Sequence, residues 1–436
     1  LGVCYYLDGQ LDPARTAFQT VIQRFPKLDK LEAAYLYLGA AQYGLAQSGK
    51  TEMCDAAVQT LNGLLEKFPG GQFVPDALYY KAECLYMGGK KEEAIGSYRQ
   101  LIDKHPKHAF AAEATYALGV CYEELNRPEE AGKTYDAFLQ AFAGHRLAPE
   151  VNLRRGQTLF AAGKFDEAAK RFAAAAAVAG FELADLAAVR QADARAQMRQ
   201  YAEAAALYAA VPAKFPQSAQ AGRAVVAGGK CHYLAGKYAE ARKLLLAALS
   251  AGGPPSFEAA HWIARSWLQE KQPAKALEGL EKVLAPAQSE KSPMAAQLLM
   301  DQADAVYEIP DRKKESIGLY AALAAKYPKD PVAPQALYMA GFAALEQGEN
   351  AAALKHADGF LAAHAGHELA ADVMPGELVE ILVVAHSEIH ANARGHAHRL
   401  HTGDLASSSQ QPNRRLVIRI EQLADLWMDA LQPTAH

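Results

Sequence analysis

Apolar side chains recur along this chain with the spacing of one helix face, and the whole arrangement returns at a fixed interval. Between residues 73 and 143, an alanine is followed by an aromatic residue four positions on and a large apolar residue seven positions on. Those intervals place the apolar side chains on one side of an α-helix. Two copies lie 37 positions apart, and their matching residues are Ala94 and Ala131, Tyr98 and Tyr135, and Leu101 and Phe138. The pattern therefore predicts two successive helix-turn-helix units.

The alanine near the start of the second helix of each unit serves as a ruler for the rest of the chain. We call the first helix of a unit helix A and the second helix B, and the ruler position is occupied by Ala14, Ala57, Ala94, Ala131, Ala168, Ala204, Ala241, Ala276, Ser316 and Ala353. Successive intervals are 43, 37, 37, 37, 36, 37, 35, 40 and 37 residues. A fixed period of this kind indicates units that pack on their sequence neighbours. We expect about ten such repeats over residues 1–370.

Three features depart from this period. The interval of 43 indicates about six extra residues in the second unit, around 44–55, and we expect them to lengthen the turn between its helices. Residues 371–436 form a non-repeat tail with one predicted helix over 415–431, for which a cap on the last repeat and a disordered terminus both stay open. Residues 1–5 repeat the letters of 118–122. We therefore expect the chain to begin inside a helix A, with its first repeat truncated.

The order of residues in the second copy resembles a known repeat family. Leu118 and Gly119 are followed by Tyr122 and then by the alanine, aromatic and apolar residues of helix B, which is similar to the tetratricopeptide repeat; Ala143 stands where that family usually has proline. The resemblance implies an all-α fold, a right-handed α-solenoid of about ten repeats. In such a solenoid, small residues let the two helices approach closely, and we expect the helix B aromatic to fill the space toward the next repeat.

The period is longer than the family's usual length of about 34 residues, and the excess falls between helix B and the next helix A. Longer connections resemble the bacterial cell-envelope branch of the family, which includes outer-membrane assembly lipoproteins and the periplasmic partner of the Tol-Pal system. That resemblance favours the periplasm or cell envelope over the cytoplasm. The chain has no apolar run approaching the roughly 20 residues that span a bilayer, so we expect any export signal or lipid anchor to lie upstream of it.

The charge balance argues against nucleic acid as a partner. The chain carries 45 basic and 49 acidic residues, a formal net charge of -4, and so has no basic excess to meet phosphates. Its five cysteines are widely separated and form no C-x-x-C pair, which argues against a metal knuckle or a redox dithiol. Cys4 and Cys121 share one repeat position, and we expect both to pack in the core.

No catalytic motif stands out, so we expect no enzyme activity and no cofactor. The segments 88–91 and 163–164 superficially resemble phosphate loops, but they follow predicted helices and recur where helix A turns into helix B; we interpret them as turns. His386 and His390, with His396, His398 and His401 behind them, are compatible with a metal site. A solvated or disordered histidine-rich tail is the simpler interpretation.

The resemblance also implies a binding surface, because helix A residues line the inner, concave wall in this family. Carried over position by position, the candidate partner-binding residues are Tyr79, Glu83, Tyr86, Tyr116, Val120, Glu123, Leu153, Gln157, Phe160, Tyr338, Phe342 and Leu345. Aromatic side chains with interspersed acids suit an extended or helical peptide. Packing between repeats is the alternative role of the tyrosines. The lysine, asparagine and arginine of the family's carboxylate clamp are absent from these positions.

We therefore predict a non-enzymatic protein-protein interaction scaffold that binds a protein or peptide, in a bacterial envelope complex. One alternative is an adaptor or regulatory repeat region of a larger multidomain protein whose anchor or catalytic part lies outside this chain. A weaker alternative is a carbohydrate- or peptidoglycan-associated factor, which only the repeat length supports.

Overall fold

The computed structural model describes residues 1–371 and residue 373, and within that part the regular structure is helical, without strands. Ten helix pairs follow one another, with odd-numbered helices as helix A and even-numbered helices as helix B. The helices are α1 (Gly2–Leu7), α2 (Leu11–Arg24), α3 (Leu31–Gln47), α4 (Met53–Lys67), α5 (Val74–Met87), α6 (Lys91–Lys104), α7 (Ala111–Glu124), α8 (Pro128–Ala141), α9 (Ala148–Ala161), α10 (Phe165–Ala176), α11 (Ala184–Gln197), α12 (Tyr201–Lys214), α13 (Ala221–Leu234), α14 (Tyr238–Ala251), α15 (Pro254–Gln269), α16 (Pro273–Ser289), α17 (Ala295–Tyr307), α18 (Lys313–Lys326), α19 (Ala333–Glu346) and α20 (Asn350–His364).

The chain divides into two compact units, Leu1–Ala343 and Ala344–His436. In the first unit, each helix from α1 to α17 packs against the next, and α3 also contacts α5, α13 contacts α15, and α15 contacts α17. This succession confirms the predicted all-α solenoid. In the second unit, α20 packs against the short 3-10 helix Glu368–Ala371. The tail boundary at residue 370 stays a prediction, and the helix predicted over 415–431 and the histidine-rich segment lie outside the described residues.

The turn from helix A to helix B repeats one backbone conformation. Gly89 and Gly163 have positive φ angles of 75° and 72°, which glycine adopts without strain. The next amide then donates to the carbonyl five positions back, as Lys90 does to Leu85 at 2.8 Å, and this bond closes the end of helix A. Arg199 holds the corresponding position with a φ of 57° despite its side chain. The interpretation of the glycine-lysine segments as turns is confirmed.

The connection from helix B to the next helix A is also repeated. Where a proline follows helix B, the residue before it has a φ between -135° and -125° and a ψ between 55° and 68°, and these residues are Phe25, Phe68, His105, Phe215 and Tyr327. Proline excludes the preceding residue from the helical region, so the helix ends there. Farther along, His108 Nδ1 accepts the amide of Phe110 at 3.3 Å, and His145 Nδ1 accepts the amide of Leu147 at 3.3 Å.

The ruler position is buried in all ten units. In the units whose helix A has a glycine at the facing position, the side chain four positions after the ruler lies against that glycine: a Cβ atom on Gly119 would stand 2.3 Å from the Tyr135 ring, and one on Gly229 would stand 2.3 Å from Leu245. The expectation that this side chain fills the space toward the next repeat stays a prediction. In these units it also occupies the gap that the missing Cβ leaves on its own helix A.

Two expectations are corrected, one about the extra residues of the second unit and one about the burial of Cys4. In the second unit, α3 has 17 residues where α5 has 14, and the turn before α4 spans 48–52, so about half of the extra length extends helix A rather than the turn. Cys121 is buried as expected, but Cys4 is exposed. Cys121 packs in a core that includes residues of the preceding unit.

Candidate binding surface

Three positions of helix A, located 15, 11 and 8 residues before the ruler, carry the residues predicted to bind a partner. In the third and fourth units all six side chains are half-buried. In the fifth unit, Leu153 is only 2% exposed and belongs to the core, Gln157 is exposed, and Phe160 is half-buried with its ring centroid 5.1 Å from that of Phe165. We call these positions, together with the side chains that flank them, the helix A face.

The tenth unit is divided between the two compact units of the chain. Tyr338 and Phe342 belong to the first, where their rings are nearly parallel at an interplanar angle of 11° with centroids 6.4 Å apart. Leu345 belongs to the second and is 42% exposed. All three side chains are at least partly exposed, so the prediction that they bind a partner stays a prediction.

An aromatic strip forms the most continuous part of the helix A face. It consists of Tyr43 on α3, Tyr79 and Tyr80 on α5, and Phe110 just before α7. The Tyr79 ring stacks on Phe110 with centroids 4.3 Å apart, and Tyr80 lies 5.7 Å from Phe110 and 5.5 Å from Tyr43. Each of these side chains is half-buried, so each ring packs on its neighbour while part of it faces solvent.

Sequence reasoning found Tyr79 but missed Tyr43, Tyr80 and Phe110. Tyr43 lies four residues after Gly39, as Tyr86 lies four residues after Ala82. An alignment on the small residue of helix A would therefore have found Tyr43, whereas the ruler on helix B did not, because the extra residues of the second unit separate the two. Phe110 lies in a connection, where the helix period carries no information.

Glu83 links two units through tyrosine hydroxyls. Tyr98 of its own unit donates to Glu83 Oε1 at 2.6 Å, and Tyr43 of the preceding unit donates to Oε2 at 3.1 Å. Burial raises the pKa of Glu83 above its usual range, and the two hydrogen bonds oppose that rise. Both carboxylate oxygens are engaged, so Glu83 holds neighbouring helices together as well as lining the face.

Arg154 was not among the predicted residues, yet it organises the middle of the face. Its Nε donates to Tyr116 at 3.1 Å and to Glu150 at 2.8 Å, and its Nη1 donates to Glu123 at 2.8 Å. Burial raises the pKa of Tyr116. The predicted residues Tyr116 and Glu123 are therefore brought together by a cation from the next helix A.

The helix A face also carries a tyrosine that is hydrogen-bonded to a carboxylate. Tyr86 donates to Glu124 at 2.7 Å, and burial together with that carboxylate raises the pKa of Tyr86 to about 12. Over the described ranges 1–371 and 373, no group of three or more His, Cys, Asp and Glu side chains is arranged to hold a metal ion. A cleft between α10, α11 and α12 measures about 110 Å³ and is lined mainly by alanines. It is smaller than the clefts of about 300–1,000 Å³ that hold organic ligands.

Among the described helices, none has both the length and the apolar character that crossing a bilayer requires.

Repeated helix pairs that pack in succession, with side chains of successive helices A forming one face, are the fold of α-helical repeat proteins. Proteins of this class bind other proteins. The chain belongs to the tetratricopeptide repeat family. One family profile matches residues 1–27, 76–108 and 113–145, a second matches residues 153–219 and 229–293, and both are described as tetratricopeptide repeat. Such repeats form protein-protein interaction scaffolds and are typically not catalytic, so the family implies protein partners for this chain.

Solved structures of other repeat proteins are similar to this chain at low identity. A tetratricopeptide repeat protein from Parabacteroides merdae is 20% identical, with 58% of this chain and 91% of the other covered and a TM-score of 0.37. The C-terminal part of a repeat protein from Cytophaga hutchinsonii is 16% identical, with 59% and 99% covered and a TM-score of 0.45. PilF from Pseudomonas aeruginosa is 14% identical, with 51% and 92% covered and a TM-score of 0.38. A search of curated proteins found no match.

Proposed function

We propose that this protein is a non-enzymatic scaffold that binds a peptide or partner protein along its helix A face. The observation that carries the proposal is the aromatic strip of Tyr43, Tyr79, Tyr80 and Phe110, whose rings contact one another and remain partly open to solvent. Tyrosine combines a large apolar ring with a hydroxyl and dominates many interaction surfaces. A row of such rings suits an extended or helical segment that contacts several units at once.

We further propose that the scaffold works in a bacterial cell-envelope complex, in the periplasm or at the membrane surface. The support for this location is the 37-residue period and its long connections between helix B and the next helix A. Separation of source cells into periplasmic, membrane and cytoplasmic fractions, with detection of the protein by an antibody, gives a direct test. Recovery in the periplasmic or membrane fraction supports an envelope location, and recovery in the cytoplasmic fraction alone contradicts it.

The binding surface is tested by capture of a partner from a lysate of the source cell with the full chain as bait. We compare the wild type with the variant Tyr43→Ala/Tyr79→Ala/Tyr80→Ala. The matched control is Tyr201→Ala/Tyr238→Ala, which removes rings at the start of helices B. Helix content is measured for every bait by circular dichroism.

A partner that the wild type and the helix B control retain, and that the strip variant loses while remaining folded, supports the proposal. A partner that persists on all three baits shows that binding lies elsewhere on the chain, and the assignment of the helix A face is then wrong.

A further inference from the structure

A second part of the helix A face, on α11 and α13, differs from the aromatic strip in its charge. Two arginines, Arg190 and Arg223, lie beside one carboxylate, that of Asp193, and a third cationic side chain, Lys230, is carried by α13. Asp193 and Lys230 occupy the same repeat position as Glu83 and Gln157, 11 residues before the ruler. We call these three cations the basic patch. It lies within the first compact unit and therefore in a single body of packed helices.

Both oxygens of the Asp193 carboxylate already have partners. Its Oδ1 accepts a short hydrogen bond from the Tyr208 hydroxyl, and its Oδ2 lies 3.3 Å from Arg190 Nη1 and 3.7 Å from Arg223 Nη2. The Lys230 ammonium stands 5.3 Å from the centre of the Trp262 ring. Three positive charges against one negative charge leave a local excess of about two. Each guanidinium has five N–H donors, so one shared carboxylate oxygen leaves most of them available.

The side chains of Arg190 and Arg223 are more exposed to solvent than the side chain of Asp193. The Arg190 and Arg223 side chains are 38% and 56% exposed, whereas the Asp193 side chain is 15% exposed. The carboxylate therefore lies beneath the cations, which face solvent. An arriving ligand meets the positive groups first.

In the preceding unit, the arginine at the same repeat position is neutralised by acidic side chains. Arg154 occupies the repeat position of Arg190, and it is paired with Glu123 from the unit before and with Glu150 on its own helix. At the positions that correspond to those two acids, Arg190 has Phe160 and Leu186. Arg190 therefore lacks the two acids that neutralise Arg154, because apolar residues replace both of them.

We propose that the basic patch docks an acidic internal segment of the partner protein, through the carboxylates of its aspartate and glutamate side chains. The inference rests on the proposed function, since it identifies the chemistry of part of the same binding face. Charge complementarity selects the occupant: the chain as a whole is negative, at -4, so the patch is a local feature and not part of a general basic surface. Nucleic acid requires many more phosphate contacts than three cations supply.

The test measures binding of the full chain to a fluorescein-labelled decaglutamate peptide with an amidated C-terminus, by fluorescence anisotropy. We expect saturable binding that weakens between 50 and 200 mM NaCl, because the contacts are exposed charge pairs. The variant Arg190→Ala/Arg223→Ala/Lys230→Ala should bind on the order of tenfold more weakly. The matched control Lys170→Ala/Arg171→Ala/Lys243→Ala removes the same charge from helices B and should bind like the wild type.

Several results overturn the inference. These are absence of decaglutamate binding, equal loss of binding in both triple variants, binding that requires a free C-terminal carboxylate, and binding of decalysine or duplex DNA as tight as that of decaglutamate. If the first variant loses helix content, Arg190→Gln/Arg223→Gln/Lys230→Met replaces it, since these side chains keep most of the volume. The peptide assay is independent of partner capture, so a failed aromatic strip and a failed basic patch give different outcomes.

Discussion

The glycine of helix A offers a direct test of how the units pack. Gly119 lies beneath Tyr135, and a Cβ added to Gly119 would stand 2.3 Å from one ring carbon and 2.8 Å from two others. Ordinary contact begins at 3.4 Å, so the ring must retreat by roughly 1 Å. Tyr135 is fully buried, and close-packed surroundings leave it no free space to enter. Gly119→Ala should therefore introduce an overpacking cost of about 1–3 kcal/mol.

A matched substitution separates this cost from helix propensity. Gly96 lies inside α6 with nothing within 4 Å of its added Cβ, so Gly96→Ala should stabilise the protein by about 0.5–1 kcal/mol. Gly119→Ala gains the same propensity and loses more to the clash. We expect the two variants to differ by about 1–3 kcal/mol, in favour of Gly96→Ala.

The assay combines urea unfolding, followed by circular dichroism, with hydrogen exchange of peptides from α7 and α8. Hydrogen exchange is needed because a long repeat array need not unfold in one step, and the cost is expected to be local. In the background Tyr135→Ala, the clash is removed and Gly119→Ala should no longer be costly. Equal stability of Gly119→Ala and Gly96→Ala in the wild-type background would refute the packing argument.

Three further predictions concern single side chains. Arg199→Gly should stabilise the protein by up to about 1 kcal/mol in thermal unfolding, because it removes left-handed strain, whereas Arg199→Ala should bring no gain. Arg265→Ala should cost about 3–5 kcal/mol, since it removes the cation 2.8 Å from Asp304 and leaves that buried carboxylate with the Tyr320 hydroxyl as its hydrogen-bond donor. A smaller loss of stability in Arg265→Ala/Asp304→Ala than in Arg265→Ala supports this, and a simple sum of the two single losses contradicts it. Because burial raises the pKa of Glu83, the stability that this group contributes is complete below the unfolded value of about 4.3 and is lost as the pH rises through the raised folded value. The melting temperature of the wild type should therefore fall more between pH 4 and pH 8 than that of Glu83→Gln, and parallel curves would count against the shift.

The repeat architecture could be predicted from the sequence because its signals are local and are repeated. The ruler position is buried in every unit because a small residue packs between the helices at the same place each time. The turns could be predicted for the same reason: Gly89 and Gly163 mark a conformation that few other residues adopt freely. Arg199 adopts the same conformation, but arginine in a sequence does not indicate a positive φ angle, so this turn could not be predicted from its residue type.

The candidate site was only partly predictable. The positions of Tyr79, Tyr116 and Glu123 on helix A follow from the period, but their partners come from the next unit or from a connection. Phe110 and Arg154 lie 31 and 38 residues from the tyrosines they contact, and no pattern within one helix links them. Leu153, at the same repeat position as both tyrosines, turned inward because a smaller apolar side chain there joins the core.

The sequence by itself determined the class of fold, the number of helix pairs, their order and the buried ruler residue of each helix B. Those properties depend on contacts within a unit, and one period of about 37 residues specifies them ten times over. Only the tertiary structure decided which side chains of successive units meet on the helix A face. It placed the rings of the aromatic strip against one another and left Arg190 and Arg223 of the basic patch beside one covered carboxylate. The physical reason is that contacts between units depend on the distance and rotation from one helix A to the next, which the residues of a single repeat do not encode.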